Sequence, residues 1–290
     1  MSAFLAIVSA FLYGLTSVMA KIGMRDSNTS SAVFISLLGS FVSVFIFCLF
    51  ATSLNQYLTK AVFCFLAAGI MGPFFGRFLL FKGIDRVGAA ISTTLYENKP
   101  VFAVMGAMIL LGERLTPTIG FGVCLMLAGT ITVSFEKSGG QIEKHWSKTD
   151  LVIPVAAGAC YGLAHVFRKM GLNIFPGPVV GLMAQNIGAI AFLPFFVLAG
   201  KDQKAAISKD LRIWVWFLLI GFLQVVAQWC LFKALETGSV VIVSPLSSLS
   251  TFFVLILTTL FLRKLEKVTW KIVLGAVLMV SATVILTTRT

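Results

Sequence analysis

The sequence predicts an all-α polytopic membrane protein of ten transmembrane helices, arranged as two inverted five-helix repeats. Three observations carry that reading. Apolar residues make up 58% of the 290-residue chain and charged residues only 12%, a balance that a water-facing surface of this size does not tolerate. Apolar runs of about 20 residues, the length that crosses a hydrocarbon core, recur from end to end. The two halves of the chain also echo one another in order.

Gly, Pro and charged residues punctuate the apolar runs into predicted helices at 3–22, 31–52, 61–82, 87–111, 117–135, 151–170, 178–199, 211–233, 239–262 and 268–287. Helices are the default because lipid offers backbone groups no partner, and no alternating barrel pattern is present. The first run, Ala3 to Ala20, lacks the basic start and small-x-small cleavage site of a signal peptide, so it reads as a retained span. The longest polar segment, Glu136 to Asp150, is too short for a soluble domain. It divides the chain into a first repeat at 1–137, a linker at 138–150 and a second repeat at 151–290.

The repeat rests on aligned blocks. "LYGLTSVMAKIGM" (Leu12 to Met24) matches "CYGLAHVFRKMGL" (Cys160 to Leu172), setting Tyr13 against Tyr161, Lys21 against Lys169 and Gly23 against Gly171. "LFKGID" from Leu80 matches "LFKALE" from Leu231, and "GERLT" from Gly112 matches "LEKVT" from Leu265, which pairs Glu113 with Glu266. Five spans per half is an odd number, so the second half enters the membrane from the opposite side. Inverted repeats are a hallmark of secondary transporters, whose halves rock around a site near the bilayer midplane. Gly112 is predicted to stop the fourth helix and Thr116-Pro117 to start the fifth. Glu113 and Glu266 then accept hydrogen bonds from free helix ends, a structural turn in each half.

At these residues the chain resembles the EamA-type transporters of the drug/metabolite transporter superfamily. The matching features are "LGERLT" followed by Gly120, Gly122 and Gly129, and "GRFLLFKGIDRVGAA" at Gly76 to Ala90. The likeness covers nearly the whole chain; the second half departs where Leu265 replaces the Gly and Ala282 stands opposite Gly129. The resemblance implies a ten-helix bundle in a cell (inner) membrane with both termini in the cytoplasm. It also implies a central cavity lined by helices 1, 3, 4, 6, 8 and 9, and export or exchange of a small metabolite coupled to protons.

A net charge of +12 would point to nucleic acid in a soluble protein. Here the basic residues lie mostly between apolar runs, near lipid headgroups, so the expected partners are the bilayer and a small-molecule substrate, with no nucleic acid. Cys48, Cys64, Cys124, Cys160 and Cys230 all fall within apolar runs without paired spacing, as small buried residues and not as disulfides or ligands. His145 and His165 are the two histidines, and no cluster has metal-ligand spacing. No metal, no cofactor and no enzymatic activity are therefore expected, and the lack of a phosphate-binding glycine loop argues against ATP. An uncoupled solute facilitator is the alternative within membrane function; a membrane enzyme or receptor fits less well.

Charges at mid-membrane depth are costly and usually functional. "TTLYENKPVF" (Thr93 to Phe102) places Tyr96, Glu97, Asn98, Lys99 and Pro100 in the middle of span four, and Arg77 lies within span three. Counted outward from the turn near Arg86, Arg77 and Glu97 reach similar depth, which predicts an ion pair. On a continuous helix Lys99 stands about 200° around from Glu97 and faces elsewhere. Two readings stand: a buried structural network, or Lys99 and Arg77 attracting an anionic group of the substrate. The repeat sets Arg77 against Gln228, and Glu97 and Lys99 against Ser248 and Ser250, an asymmetry that favours function.

His165 in span six is either a proton carrier or a packing residue. Gln185 and Asn186 in span seven are further polar groups in an apolar run. Gln224 and Gln228 share a face of span eight, toward a cavity or a neighbour. "SPLSSLST" opens span nine, where hydroxyls such as Ser248 either line the pathway or satisfy the backbone freed by Pro245. Tyr13, Tyr96, Tyr161 and Trp229 can stack on a substrate. Trp146, Trp214, Trp216 and Trp270 lie near span ends as interface anchors. Pro73, Pro100, Pro154 and Pro194 mark kinks or hinges.

Orientation is contested between two signals. With the termini inside, the inner segments hold Lys60, Arg114, Arg168, Lys169, Lys233 and Arg289, while fifteen basic residues lie outside. The positive-inside rule would reverse that placement. A reporter fused after Thr290 is expected to be active in the cytoplasm, following the family resemblance; activity on the far side would favour the charge count.

Overall fold

The computed structural model describes residues 2–51, 60–112, 116–134, 147–193, 207–238, 240–247, 249–261 and 269–288, and among them every regular element is helical. In the first half α1 (Ser2–Gly23) and α2 (Thr29–Ala51) are followed by α3 (Ala61–Val87). α3 contains a π-helical segment, Ile70–Gly76, around Pro73. Proline lacks an N–H and collides with the carbonyl four residues back, and a widened turn accommodates both. The fourth predicted span is two helices, α4 (Ala89–Tyr96) and α5 (Lys99–Leu111). Gly112 ends α5 in the left-handed conformation, φ 68°, and α6 (Pro117–Ser134) begins at its proline.

The second half opens with a 3-10 turn, Lys148–Leu151, leading into α7 (Val152–Ile174). α8 (Pro178–Ala191) and α9 (Leu211–Thr237) follow, the latter capped where the Asp210 carboxylate accepts the Arg212 N–H. The ninth predicted span is likewise divided, into α10 (Val240–Ser247) and α11 (Ser250–Phe261), before α12 (Trp270–Thr288). Among the described residues, five helices are long and apolar enough to cross a membrane, and shorter apolar helices accompany them. Broken helices at the same place in both halves are the main departure from the sequence prediction.

The helices pack as two interlocked halves. α1 lies on α9 as α7 lies on α3; α2 lies on α9 as α8 lies on α3. α1 touches α10 and α11 as α7 touches α4 and α5, and α6 pairs with α12. Each of these contacts has its mate when the halves are exchanged, the mark of a pseudo-two-fold arrangement.

Contact order fixes the helix directions. Along α3, Phe65, Gly72, Gly76 and Gly83 meet Gly171, Ala164, Tyr161 and Pro154 in descending order, so α3 and α7 run antiparallel. Phe65 and Gly69 meet Gly181 and Gln185 in ascending order, so α3 and α8 run parallel. α8 opposes α9, through Gln185 with Gln228 and Gly181 with Phe232. α9 opposes α1, through Ala227 with Ser9 and Trp216 with Met19. α1 and its counterpart α7 therefore point in opposite directions.

The aligned lysines do the same work in each half. Lys21 donates to the Ile84 carbonyl at 3.0 Å, and Lys169 donates to the Leu235 and Gly238 carbonyls, each at 3.0 Å. Both place a cation against the negative, C-terminal end of a long helix, α3 or α9.

The outer surface is apolar: Phe63, Ile109 and Leu211 are 75%, 78% and 74% exposed, a surface suited to lipid. Trp214 and Trp216 donate their indole N–H groups to the Ser208 and Met19 carbonyls, and Trp270 is exposed at the start of α12. The cysteines depart from expectation, since only Cys230 is buried; Cys48, Cys64 and Cys160 are half-buried and Cys124 is exposed. Apolar solvent removes the reason to hide a thiol. Glu113, Arg114, Glu266, Trp146, Pro194 and Ser248 lie outside the described residues.

α7 crosses the break between α4 and α5 at close range. A Cβ at Gly158 would collide with the Asn98 side chain and the Tyr96 carbonyl, and one at Gly162 with the Lys99 carbonyl. Gly158→Ala should therefore lower the melting temperature in detergent, an overpacking cost of about 1–3 kcal/mol. Gly120→Ala should not, because nothing lies within 4 Å of the added methyl; equal melting of the two variants would refute the close crossing.

Candidate functional site

The site is built on the two helix breaks. Pro100 sits in the first turn of α5, and the carbonyl its ring would strike belongs to Tyr96, the last residue of α4. Glu97 and Asn98 turn the chain between the two helices: the Glu97 N–H donates to the Thr93 and Thr94 carbonyls, and the Val101 N–H to Asn98. The Asn98 side chain donates to the Val155 carbonyl of α7 at 3.2 Å, fastening the turn.

This break changes the predicted pairing. Glu97 pairs with Lys99, Oε2 to Nζ at 2.8 Å, and both side chains are buried. The 200° separation expected on an unbroken helix does not apply once the helix is interrupted between them. Lys99 also stands 4.6 Å from the Tyr96 ring centroid and donates to the Ser247 carbonyl at 3.4 Å. The Ser250 hydroxyl donates to Glu97 Oε1, and Thr251 donates to the Thr93 carbonyl at 3.3 Å. Ser247 and Ser250 flank the second break, so the two interruptions face each other across the halves.

Arg77 is not the partner of Glu97. It follows the π segment of α3 and donates through Nη1 to Ser40 at 3.2 Å and to Ser36 at 3.5 Å, with the Tyr161 phenol beside it. Among the described residues no carboxylate pairs with it. Tyr161 packs edge-on against Tyr96 with centroids 5.2 Å apart. Tyr13, its counterpart, has a buried hydroxyl with no hydrogen-bond partner, as do Asn98 Oδ1 and Gln224 Oε1.

A second polar chain crosses from α7 to α9. Arg168 Nε donates to Gln185 Oε1 at 2.9 Å, and Gln185 Nε2 donates to Gln228 Oε1. His165, one turn before Arg168, is buried with Arg168 and Lys99 as its electrostatic neighbours. Asn186 donates to the Leu182 carbonyl on its own helix. Arg168 is a correction to the sequence reading, which counted it among the loop charges: it is wholly buried within α7. The signals that could have found this region were the Gly158-x-x-x-Gly162 spacing, which marks close helix contact, and the place of Arg168 within an aligned block opposite Ala20.

Trp229 is placed elsewhere. It lines a peripheral groove of about 230 Å³ with Phe47, Leu182 and Phe222. A larger apolar groove, about 460 Å³, lies between α11 and α12. No group of three or more His, Cys, Asp or Glu suited to a metal ion occurs among the described residues.

An apolar exterior, two interlocked halves and paired helix breaks around buried charge define an integral membrane protein of the transporter class. The comparisons carry this further. The chain matches the EamA-like transporter family over residues 1–135 and 148–288, and so belongs to that family, within the drug/metabolite transporter superfamily. A search of curated proteins returns no match. A solved crystal structure shares the fold, with a TM-score of 0.71 at 15% identity over 98% of this chain and 95% of the other.

If Lys99 and Glu97 neutralise each other, Lys99→Met should destabilise the protein by about 3–5 kcal/mol by stranding a buried carboxylate. The double variant Lys99→Met with Glu97→Gln should recover much of that loss. Additive damage in thermal melts would refute the pair.

Proposed function

We propose that the protein is a secondary transporter that exports or exchanges a small polar metabolite by alternating access. In this reading ten spans form two inverted five-helix halves in the cell membrane, with both termini cytoplasmic, and transport is coupled to protons. The observation that carries it is the pair of broken helices. Interrupted helices at matching places in two halves free backbone groups at mid-membrane depth, and such groups are tolerated there only when buried in protein or lining a cavity. In this chain they surround Glu97 and Lys99.

The substrate site comprises Arg77, Tyr96, Glu97, Asn98, Lys99, His165, Gln224 and Gln228, with Ser250 and Arg168 added by the geometry. Glu97 is the buried carboxylate among the described residues and links the halves through Ser250. A proton taken up there would weaken its hold on Lys99, loosening the two breaks together. The proton is assigned to Glu97 because its carboxylate bonds to residues flanking both breaks, Lys99 and Ser250.

Uptake into proteoliposomes across a metabolite panel tests this reading, with an imposed proton gradient and a protonophore control. Uphill flux abolished by the protonophore supports coupled transport; flux that only equilibrates would identify a facilitator. Glu97→Gln should remove the pH dependence of flux and His165→Gln should keep it. The reverse pattern would transfer the proton to His165.

A further inference from the structure

Two arginines in the central cluster each keep two guanidinium nitrogens without a well-formed hydrogen bond, although the Tyr161 phenol lies beside Arg77 and the Phe232 ring 5.6 Å from Arg168. Arg77 engages Ser36 and Ser40 through Nη1, while its Nε and Nη2 have no hydrogen-bond partner. Arg168 engages Gln185 through Nε, while its Nη1 and Nη2 have none. In a planar guanidinium the N–H bonds of Nε and Nη2 point the same way, as do those of Nη1 and Nη2. Each free pair is therefore a fork shaped for two oxygens of one carboxylate or phosphate.

Charge points the same way. The buried charged side chains among the described residues are Arg77, Lys99 and Arg168 against Glu97 alone, and Glu97 is already held by Lys99. Two cations remain, 1% and 0% exposed. A buried cation without an anion is strongly unfavourable, and a bound anion is the simplest remedy. Position agrees as well. Tyr13 and Tyr161 each have both arginines as electrostatic neighbours. A Cβ built at Gly72 would lie 3.3 Å from Arg168 Nη2, and Gly76, one turn on, packs against Tyr161 immediately before Arg77.

We propose that the site takes a small dianionic metabolite, one oxyanion group on the Nε/Nη2 edge of Arg77 and the other on the Nη1/Nη2 edge of Arg168. The inference rests on the transporter reading and adds the charge class of its substrate. Tyr13 and Tyr161 each lie near both arginines, and the Lys99–Glu97 pair stays internal to the protein. Solutes with a single anionic group leave one fork empty and are rejected for that reason.

The test uses purified full-length protein in detergent, with melting temperature followed against succinate, glycerol 3-phosphate, acetate and choline. Succinate or glycerol 3-phosphate should give a saturable rise, and which of them does so separates a dicarboxylate from a phosphate-ester site; acetate and choline should not. Arg77→Gln and Arg168→Gln should each weaken the response about tenfold or more, the loss of a charged two-point contact. Arg168→Lys should not restore it, because an ammonium lacks the fork. Arg212→Gln, at the exposed start of α9, should leave it unchanged. No saturable response to either dianion, an equal response to acetate, or unaltered binding in both arginine variants would overturn the proposal. If the variants do not fold, the four-ligand comparison on the unaltered protein decides alone. Protonophore-sensitive uptake of a neutral or cationic solute, without dianion binding, overturns this inference and keeps the transporter. Dianion binding without any flux does the opposite.

Discussion

The architecture depends on how the Lys99 ammonium is satisfied inside a bundle surrounded by hydrocarbon. A lone cation at that depth costs several kcal/mol. Lys99 has three compensations: the Glu97 carboxylate at 2.8 Å, the Ser247 carbonyl at 3.4 Å and the face of Tyr96. Two of these exist only because helices are broken. The turn at Glu97 and Asn98 brings the carboxylate beside the ammonium, and α10 ends at Ser247, whose carbonyl accepts from it. One side chain thus joins the interruption in each half, and Ser250 closes the link from the other side through Glu97.

Much of the fold was legible because the bilayer dictates it. Span length follows from hydrocarbon thickness, so apolar runs between Gly, Pro and charged residues located the helices to within a few residues. The repeat was legible where matched residues do matched work. Lys21 and Lys169 cap equivalent helices, a geometric duty that leaves little room for substitution by an apolar residue. The divided spans were not read correctly. Pro100 was visible, but treating it as a kink kept the helix continuous and so turned Lys99 away from Glu97 and Glu97 toward Arg77. Where a helix stops completely, angular counting stops with it.

The candidate site was legible in part for a related reason. Charges in span four announced themselves against their apolar flanks. Arg168 did not, because it precedes Lys169 and the two looked like a loop. Adjacent helical residues diverge by about 100°, and here that rotation separates a wholly buried guanidinium from a half-buried helix cap. The Gln185–Gln228 bond and the Ser250–Glu97 bond join residues 43 and 153 positions apart. Neither partner's sequence neighbourhood distinguishes it from other polar residues in an apolar run.

The interlocking of the halves also bears on how the chain is made. Ser247 follows Lys99 by 148 residues, so a ribosome at about 5–20 residues per second delivers it roughly 7 to 30 s later. Through that interval the leading half resides in the bilayer with its buried cations already in place. Their earliest partners are near at hand or already synthesised: Glu97 precedes Lys99 by two positions, and Ser36 and Ser40 precede Arg77. The nascent segment thus carries its own provisional counterweights, and the trailing half docks onto charges already held in check.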